Sequence, residues 1–208
     1  RRTGDRDMKF LAIDTSGRAL SVVAVNGEKK VISHRGDCAM RHSVLLMDEI
    51  DAVLHEAGLA PADCDFFACV VGPGSFTGIR IGIATIKGLC LACEKDALAL
   101  TSFDTLAYAD RREQALCLVD AGHGNYYACA YRGTEVAIPP AFLTRGEADA
   151  LIAQGFSPVG HTALFDGVTQ VDAAQGLCNA ANAKAGEAHG AHLLEAMYLR
   201  KSSAEEAR

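Results

Sequence analysis

Between Val70 and Leu89 the chain reads VVGPGSFTGIRIGIATIKGL, an apolar strand that ends in a glycine turn and opens directly into a helix. Gly72 and Gly74 admit positive φ and close backbone approach, Pro73 stiffens the turn, and Ser75 or Thr77 can cap the helix with its hydroxyl. Backbone N–H groups and the positive end of the helix dipole converge at such a place, which is the chemistry of an anion or phosphate cradle running from Gly72 to Gly78. The same atoms serve a purely structural strand-to-helix turn, and the residues alone leave both readings open. Two other chemistries fail on spacing. A Walker loop needs a lysine after its last glycine, whereas Gly78 is followed by Ile79 and Arg80. A serine nucleophile elbow needs glycines where Pro73 and Thr77 flank Ser75, and no histidine and acid partners for Ser75 are visible.

Metal chemistry has equally little to build on. His42 opens a helical stretch and Leu46 stands four residues on, so that helical face offers one imidazole instead of a chelating pair. His34, His55, His123, His161, His189 and His192 fall on other faces or in the other half of the chain, and no metal site is expected. Eight cysteines, Cys38, Cys64, Cys69, Cys90, Cys93, Cys117, Cys129 and Cys178, are scattered through apolar patterns, as buried thiols in a reducing, cytoplasmic compartment are. The Cys90–Cys93 pair sits late in a helix, with no second pair at zinc spacing.

The elements that position these residues are legible from composition and pattern. With 208 residues, 50% hydrophobic, the chain can bury one sizeable core or two small ones. A net charge of −6 argues against a broad nucleic-acid footprint, so any contact with RNA is local or made through a partner. No run approaches the roughly 18–20 apolar residues of a membrane span, and no signal-peptide core follows the first residues. Residues 1–7, RRTGDRD, read as an appended remnant or a disordered end ahead of Met8. KFLAID (9–14), SVVAV (21–25) and KKVISHR (29–35) read as an antiparallel start with a turn at Asn26 and Gly27. A helix over Arg41 to Gly58, a parallel strand over 66–72, a helix from Gly78 to Lys95 and a short helix from Ser102 to Ala109 follow, an order of βββαβα.

The pattern then begins again. AIDTSGRALSVVAVNG (12–27) aligns without a gap on LVDAGHGNYYACAYRG (118–133), matching Asp14 with Asp120 and Gly27 with Gly133. Downstream, 144–155 reads as a helix and 156–165 as a strand. The segment rich in Ala, Gly and Asn from Ala173 to Gly190 reads as loop and irregular helix, and His192 to Lys201 as a final helix. The expected division is an N-terminal lobe over 8–110 and a smaller, degenerate lobe over 111–208. Two βββαβα units, each opening on a strand that ends in Asp, resemble the α/β, two-lobed actin, Hsp70 and sugar-kinase superfamily with its RNase H-like lobes. That layout implies that Asp14 and Asp120 face each other across a cleft; as isolated residues, each can equally be capping its own turn.

FLAIDTS, RHSVLLMDEI, GPGSFTGIRIG, TSFDTLA and AMYLRKSSAEEA together resemble the TsaB (YeaZ) family, the non-catalytic paralogues of TsaD in the synthesis of threonylcarbamoyladenosine at position 37 of tRNA. The resemblance implies a scaffold with no catalytic residues. It implies a heterodimer with TsaD, a larger complex that includes the ATPase TsaE, and a homodimer when alone. Contact with tRNA comes only through the complex, and no cofactor is required. Weak contact with ATP or ADP near Asp14, Thr15, Ser16, Gly72, Pro73, Gly74, Ser75, Thr77 and Gly78 stays open. On residue pattern alone the helix after the glycine turn favours core packing, with Ile79, Ile83, Ile86 and Cys90 as its apolar stripe and Gly78, Gly82 and Gly88 leaving it bare elsewhere. The resemblance implies instead that the first two helices pair with the partner, with Arg41, His42, Leu45, Ile79, Ile83 and Ile86 as interface residues. A small-molecule kinase or ATPase of the sugar-kinase superfamily, with Asp14 or Asp120 near the phosphates, is the competing reading.

Overall fold

The three apolar runs at the start of the chain form β1 (Lys9–Asp14), β2 (Leu20–Asn26) and β3 (Lys29–Arg35) in the computed structural model of the protein, which describes residues 8–38 and 41–199. They pair antiparallel in sequence order. Helix α1 (His42–Ala57) crosses back to β4 (Phe66–Val70), which joins β1 in parallel, and α2 (Phe76–Cys93) follows with Ser75 as its N-cap. A strand that the residue pattern did not suggest, β5 (Asp96–Leu100), then extends the sheet beside β4. Its sequence DALAL carries no β-branched residue, so only its place after a helix and beside an open edge marks it as a strand. Helix α3 (Ser102–Asp110) closes this half, its first turn fixed by a reciprocal capping box between Thr101 and Asp104.

The chain passes to a second sheet between Asp110 and Gln114. Strands β6 (Gln114–Gly122), β7 (Asn125–Arg132) and β8 (Glu135–Leu143) form the meander. Helix α4 (Arg145–Ala153), β9 (Ser157–Gly160), the two-residue β10 (Thr169–Gln170) and α5 (Ala173–Ala183) complete it. The sheets run β3-β2-β1-β4-β5 and β8-β7-β6-β9-β10, the same order twice, and this is the duplicated, two-lobed actin-like α/β architecture. The strand expected over 156–165 is only four residues long, because the chain leaves the sheet at His161.

Two expectations are corrected near the end of the chain. Of the Ala- and Gly-rich segment, Ala173–Ala183 is a regular helix, α5, whose small residues serve packing, and the remainder to Gly190 is a 3-10 turn and irregular chain as expected. Helix α5 lies between the sheets against α3, β1 and β2, and its buried face comprises Ala174, Gly176, Leu177, Cys178, Ala180 and Ala181. Together with Phe103 and Leu106 of α3, Phe10, Phe66 and Leu98 of the first sheet, and Cys117, Cys129 and Val159 of the second, it makes one core shared by both halves. The helix expected over His192 to Lys201 is a single 3-10 turn at Ala191–Leu193 followed by extended chain; Arg200 and Lys201 lie outside the described residues. This segment returns to the first sheet. His189 exchanges backbone bonds with Ala97, Leu194 is buried among α1 and α2 side chains, and Met197 N–H donates to Val71 O at 2.8 Å.

α2 is also longer and more apolar than the membrane-span expectation allowed, with a mean hydropathy of 1.4 over 18 residues. By length and composition alone it could cross a membrane. In the fold it lies on β4 with Gly78, Ile79, Gly82, Ile86 and Cys90 inward, and 28% of its residues are buried, so much of its apolar surface stays open.

The α3–α5 contact depends on one missing methyl. A Cβ on Gly176 would lie 2.0 Å from the Thr105 carbonyl oxygen, and backbone cannot yield as a side chain can, whereas a Cβ on Gly88 meets nothing within 4 Å. Gly176→Ala should therefore lose about 2 kcal/mol or more, a fall of roughly 4–8 °C in Tm for a chain of this size. Gly88→Ala, in a helix interior, should gain about 0.5–1 kcal/mol. Thermal melts of the two variants check this pair, and equal shifts would disprove the contact.

Candidate functional site

The glycine turn is built by Ser75, whose Oγ accepts from Gly78 N–H at 3.2 Å and starts α2. Gly74, Gly78 and Gly82, at four-residue spacing, form one stripe, and that stripe lies on the turn that follows β1. Cβ atoms there would come within 2.3 Å of Ser16 O, 2.0 Å of Thr15 O and 2.6 Å of Thr15 Oγ1. Thr15 Oγ1 donates to Gly78 O at 2.7 Å, and Ser75 N–H donates to Ser16 O at 2.6 Å. From the other side, Ser102 N–H donates to Gly72 O at 2.9 Å and Ser102 Oγ to Pro73 O at 2.7 Å. The expected nucleotide-facing group thus divides. Asp14, Thr15, Ser16, Gly72, Pro73 and Gly78 are buried and engaged with neighbouring chain, Gly74 is half-buried, and Ser75 and Thr77 are exposed. The N–H groups of Ser75, Gly78 and Ile79 are bonded to Ser16 and Ser75 oxygens, whereas those of Phe76 and Thr77, the first two of α2, have no acceptor among the described residues.

The paired aspartates do not match each other. Asp14 is buried, with Oδ1 accepting from Ser16 N–H at 2.8 Å and Ser16 Oγ at 2.6 Å. Asp120 is exposed and accepts from Gly122 N–H at 2.8 Å, which caps its own turn.

Residues that the spacing arguments set aside meet at the junction of the halves. His161, at the end of β9, contacts Thr105 Oγ1 through Nε2 at 3.0 Å. Thr105 Oγ1 also donates to Ser102 O at 2.8 Å, and Nδ1 of His161 is buried close to the Val171 backbone. Burial holds His161 below its ordinary pKa, against the opposing pull of the nearby Asp14 carboxylate. Beside it, Asp104 accepts from Tyr131 of β7 at 3.2 Å and from Lys184, just after α5, at 3.3 Å. Burial alone would lower the Lys184 pKa; the carboxylates of Asp104 and Glu187 outweigh it and hold the ammonium above its ordinary value. No helical spacing could have flagged His161, because the fold and not the local sequence brings it to α3.

The interface candidates also divide. Ile79 and Ile86 are fully buried and His42 is 5% exposed with Nε2 bonded to Ala19 O at 3.1 Å, so these three hold the first half together instead of facing outward. Ile83 and Leu45 are half-buried against the core under α1 and α2, and Arg41 is exposed. The large apolar side chains of these helices that do face outward are Val44 and Met47 on α1, 70% and 48% exposed, and Phe76 and Leu91 on α2, 42% and 84% exposed, with exposed Ala84 and Gly88 between the last two. The signal for them was available: α2 is apolar nearly all round, so any inward stripe leaves an apolar remainder.

All eight cysteines are free thiols, buried except for half-buried Cys93. Burial pushes Cys64 up to about 12 and Cys90 and Cys129 up to about 11, which leaves them protonated and unreactive. Among the described residues no group of three or more His, Cys, Asp or Glu side chains is placed to hold a metal ion.

The family model described as TsaD, tRNA N6-adenosine threonylcarbamoyltransferase, matches residues 36–162. The chain is 33% identical over 135 residues to the tRNA threonylcarbamoyladenosine biosynthesis protein TsaB of Escherichia coli strain K12, covering 63% of this chain and 58% of that one. It is 31% identical over 127 residues to the TsaB of Bacillus subtilis strain 168, covering 60% and 56%. The matches therefore span little more than half the length of these relatives. Among solved structures, an uncharacterized Pseudomonas aeruginosa protein with similarity to the peptidase YEAZ superposes with a TM-score of 0.78 at 26% identity, covering 93% of this chain and all of that one.

The buried imidazole has a consequence for pH. The native state keeps His161 neutral, while the unfolded chain binds a proton near 6.5, so stability should fall as pH drops through and below 6.5. His161→Gln retains an N–H for Thr105 and cannot titrate. Urea midpoints between pH 7.5 and 5.0 should show the variant losing less stability than the parent chain; parallel losses would mean that His161 does not set the slope.

Proposed function

This chain belongs to the TsaB/YeaZ branch of the TsaD family, and from that premise we propose that it acts in threonylcarbamoyladenosine synthesis on tRNA as a non-catalytic scaffold. In this reading it binds and stabilises the transferase TsaD, supports assembly with the ATPase TsaE, pairs with itself when alone, and works in the cytoplasm. The observation that carries the reading is the outer face of α1 and α2, where Val44, Met47 and Leu91 stand in water beside the small residues Ala84 and Gly88. Fully burying a side chain of this kind stabilises by about 1.5–3 kcal/mol, so a few of them can sustain an association, and Ala84 and Gly88 let a second helix approach closely.

A non-catalytic role agrees with what surrounds the glycine turn. The Ser75 and Gly78 N–H groups and Asp14 Oδ1 are bonded within the chain, and the turn closes onto Thr15 and Ser16. ATP or ADP has no required place in this reading.

Pairing is testable on residues that the fold itself does not need. Leu91→Glu and Val44→Glu should leave the melting temperature within a few degrees and abolish co-elution with TsaD, read as mass by light scattering. Ile79→Glu, a charge in the core, should instead unfold the chain. Normal complex formation by both surface variants would sink the proposed interface.

A further inference from the structure

At the start of α2 an exposed stack of side chains stands on the same side of the helix as Ala84, Gly88 and Leu91, nearer its N-terminus. The Phe76 and Tyr198 rings stack at 5.1 Å between centroids with 28° between their planes. The Arg80 guanidinium lies 3.7 Å from the Phe76 centroid and donates through Nε to Tyr198 Oη at 3.0 Å. Phe76 is 42% and Tyr198 43% exposed, so both rings keep free surface. Among the described residues Arg80 forms no ion pair, and its Nη groups have no protein acceptor. Packing does not account for the stack, because the 188–199 segment is already held by the His189–Ala97 bridge, buried Leu194 and the Met197 bond to Val71.

Two partly open aromatic faces around an uncompensated guanidinium are what an unstacked base and its phosphate require: the rings take the base, and the free Nη pair takes the phosphate oxygens. The exposed hydroxyl side chains of Ser75 and Thr77 lie next to Phe76 in the chain. On a chain with a net charge of −6, most of the surface repels RNA, and a contact must be concentrated at such a spot. A protein carboxylate could also meet Arg80, but it would leave the ring faces unused.

We propose that the Phe76–Arg80–Tyr198 stack is a single-stranded RNA contact, by which this chain itself touches the tRNA. The identity of the RNA rests on the role proposed above; the binding chemistry does not. The test is fluorescence anisotropy of the full chain with an unmodified tRNA transcript and with a fully paired RNA duplex. The parent chain should bind the tRNA in preference to the duplex. Phe76→Leu, which keeps an apolar side chain against the 188–199 segment, should weaken tRNA binding roughly 5- to 100-fold. Arg80→Gln should reduce the slope of log affinity against log salt by about 0.7–0.9. Melting temperatures should be unchanged in both. The inference is overturned if the parent chain ignores tRNA at low salt, if the variants bind as the parent does, or if they lose TsaD while keeping RNA, which would make the stack a protein contact. A chain that pairs with TsaD yet ignores RNA overturns this inference alone, and one that binds RNA without pairing leaves it standing while the scaffold reading fails.

Discussion

The close approach of α2 to the Thr15–Ser16 turn governs the first half of this molecule. Three glycines in one stripe let a helix lie directly on backbone, and in return Thr15 Oγ1 and Ser16 O bond to the turn and first residues of that helix. Because the stripe includes Gly82 as well as Gly78, it fixes the rotation of α2 about its own axis. That rotation places Ile79, Ile86 and Cys90 on β4 and leaves Phe76, Arg80, Ala84 and Leu91 outside. The inner and outer surfaces of the helix are therefore set by contacts to one short turn.

Most of the first half was legible in the sequence, because each of its elements carries a local signal. The strands over 9–14 and 29–35 and the helix ending before Gly58 follow from apolar runs and turn residues alone. What escaped was decided at a distance. DALAL becomes β5 only because an edge of the sheet waits beside it, and α5 looks like loop until α3 requires a partner without side chains. The candidate site shows the same division. The glycine turn and its Ser75 cap were legible as a strand-to-helix junction, but the sequence could not say what the glycines were bare for. His161 reaches Thr105 only through the second sheet, and Tyr198 reaches Phe76 across 122 positions of chain. On α2 the apolar period identified a helix and a buried stripe, yet it could not separate core from interface when both sides are apolar.

The two copies of the repeat show how one architecture can lose a site while keeping its frame. In the first, the Asp at the end of β1 is drawn into the junction, where Ser16 satisfies it. In the second, Asp120 remains outside and caps a tighter turn, and β9 runs into His161 instead of a glycine turn. The junction is closed by side chains of opposite halves, Thr105 with His161 and Asp104 with Tyr131 and Lys184. A buried carboxylate shared by a phenol and an ammonium is costly to separate, since opening would strand charge in a region both sheets shield.

This explains why the glycine motif is so complete although its anion chemistry is taken up within the chain. A glycine held only to admit a phosphate could be replaced once the ligand was lost. Gly74 and Gly78 cannot be, because each faces a main-chain oxygen that would have to move with the whole β1–β2 turn. The motif is tied to packing, and packing in turn fixes which side chains of α2 face outward.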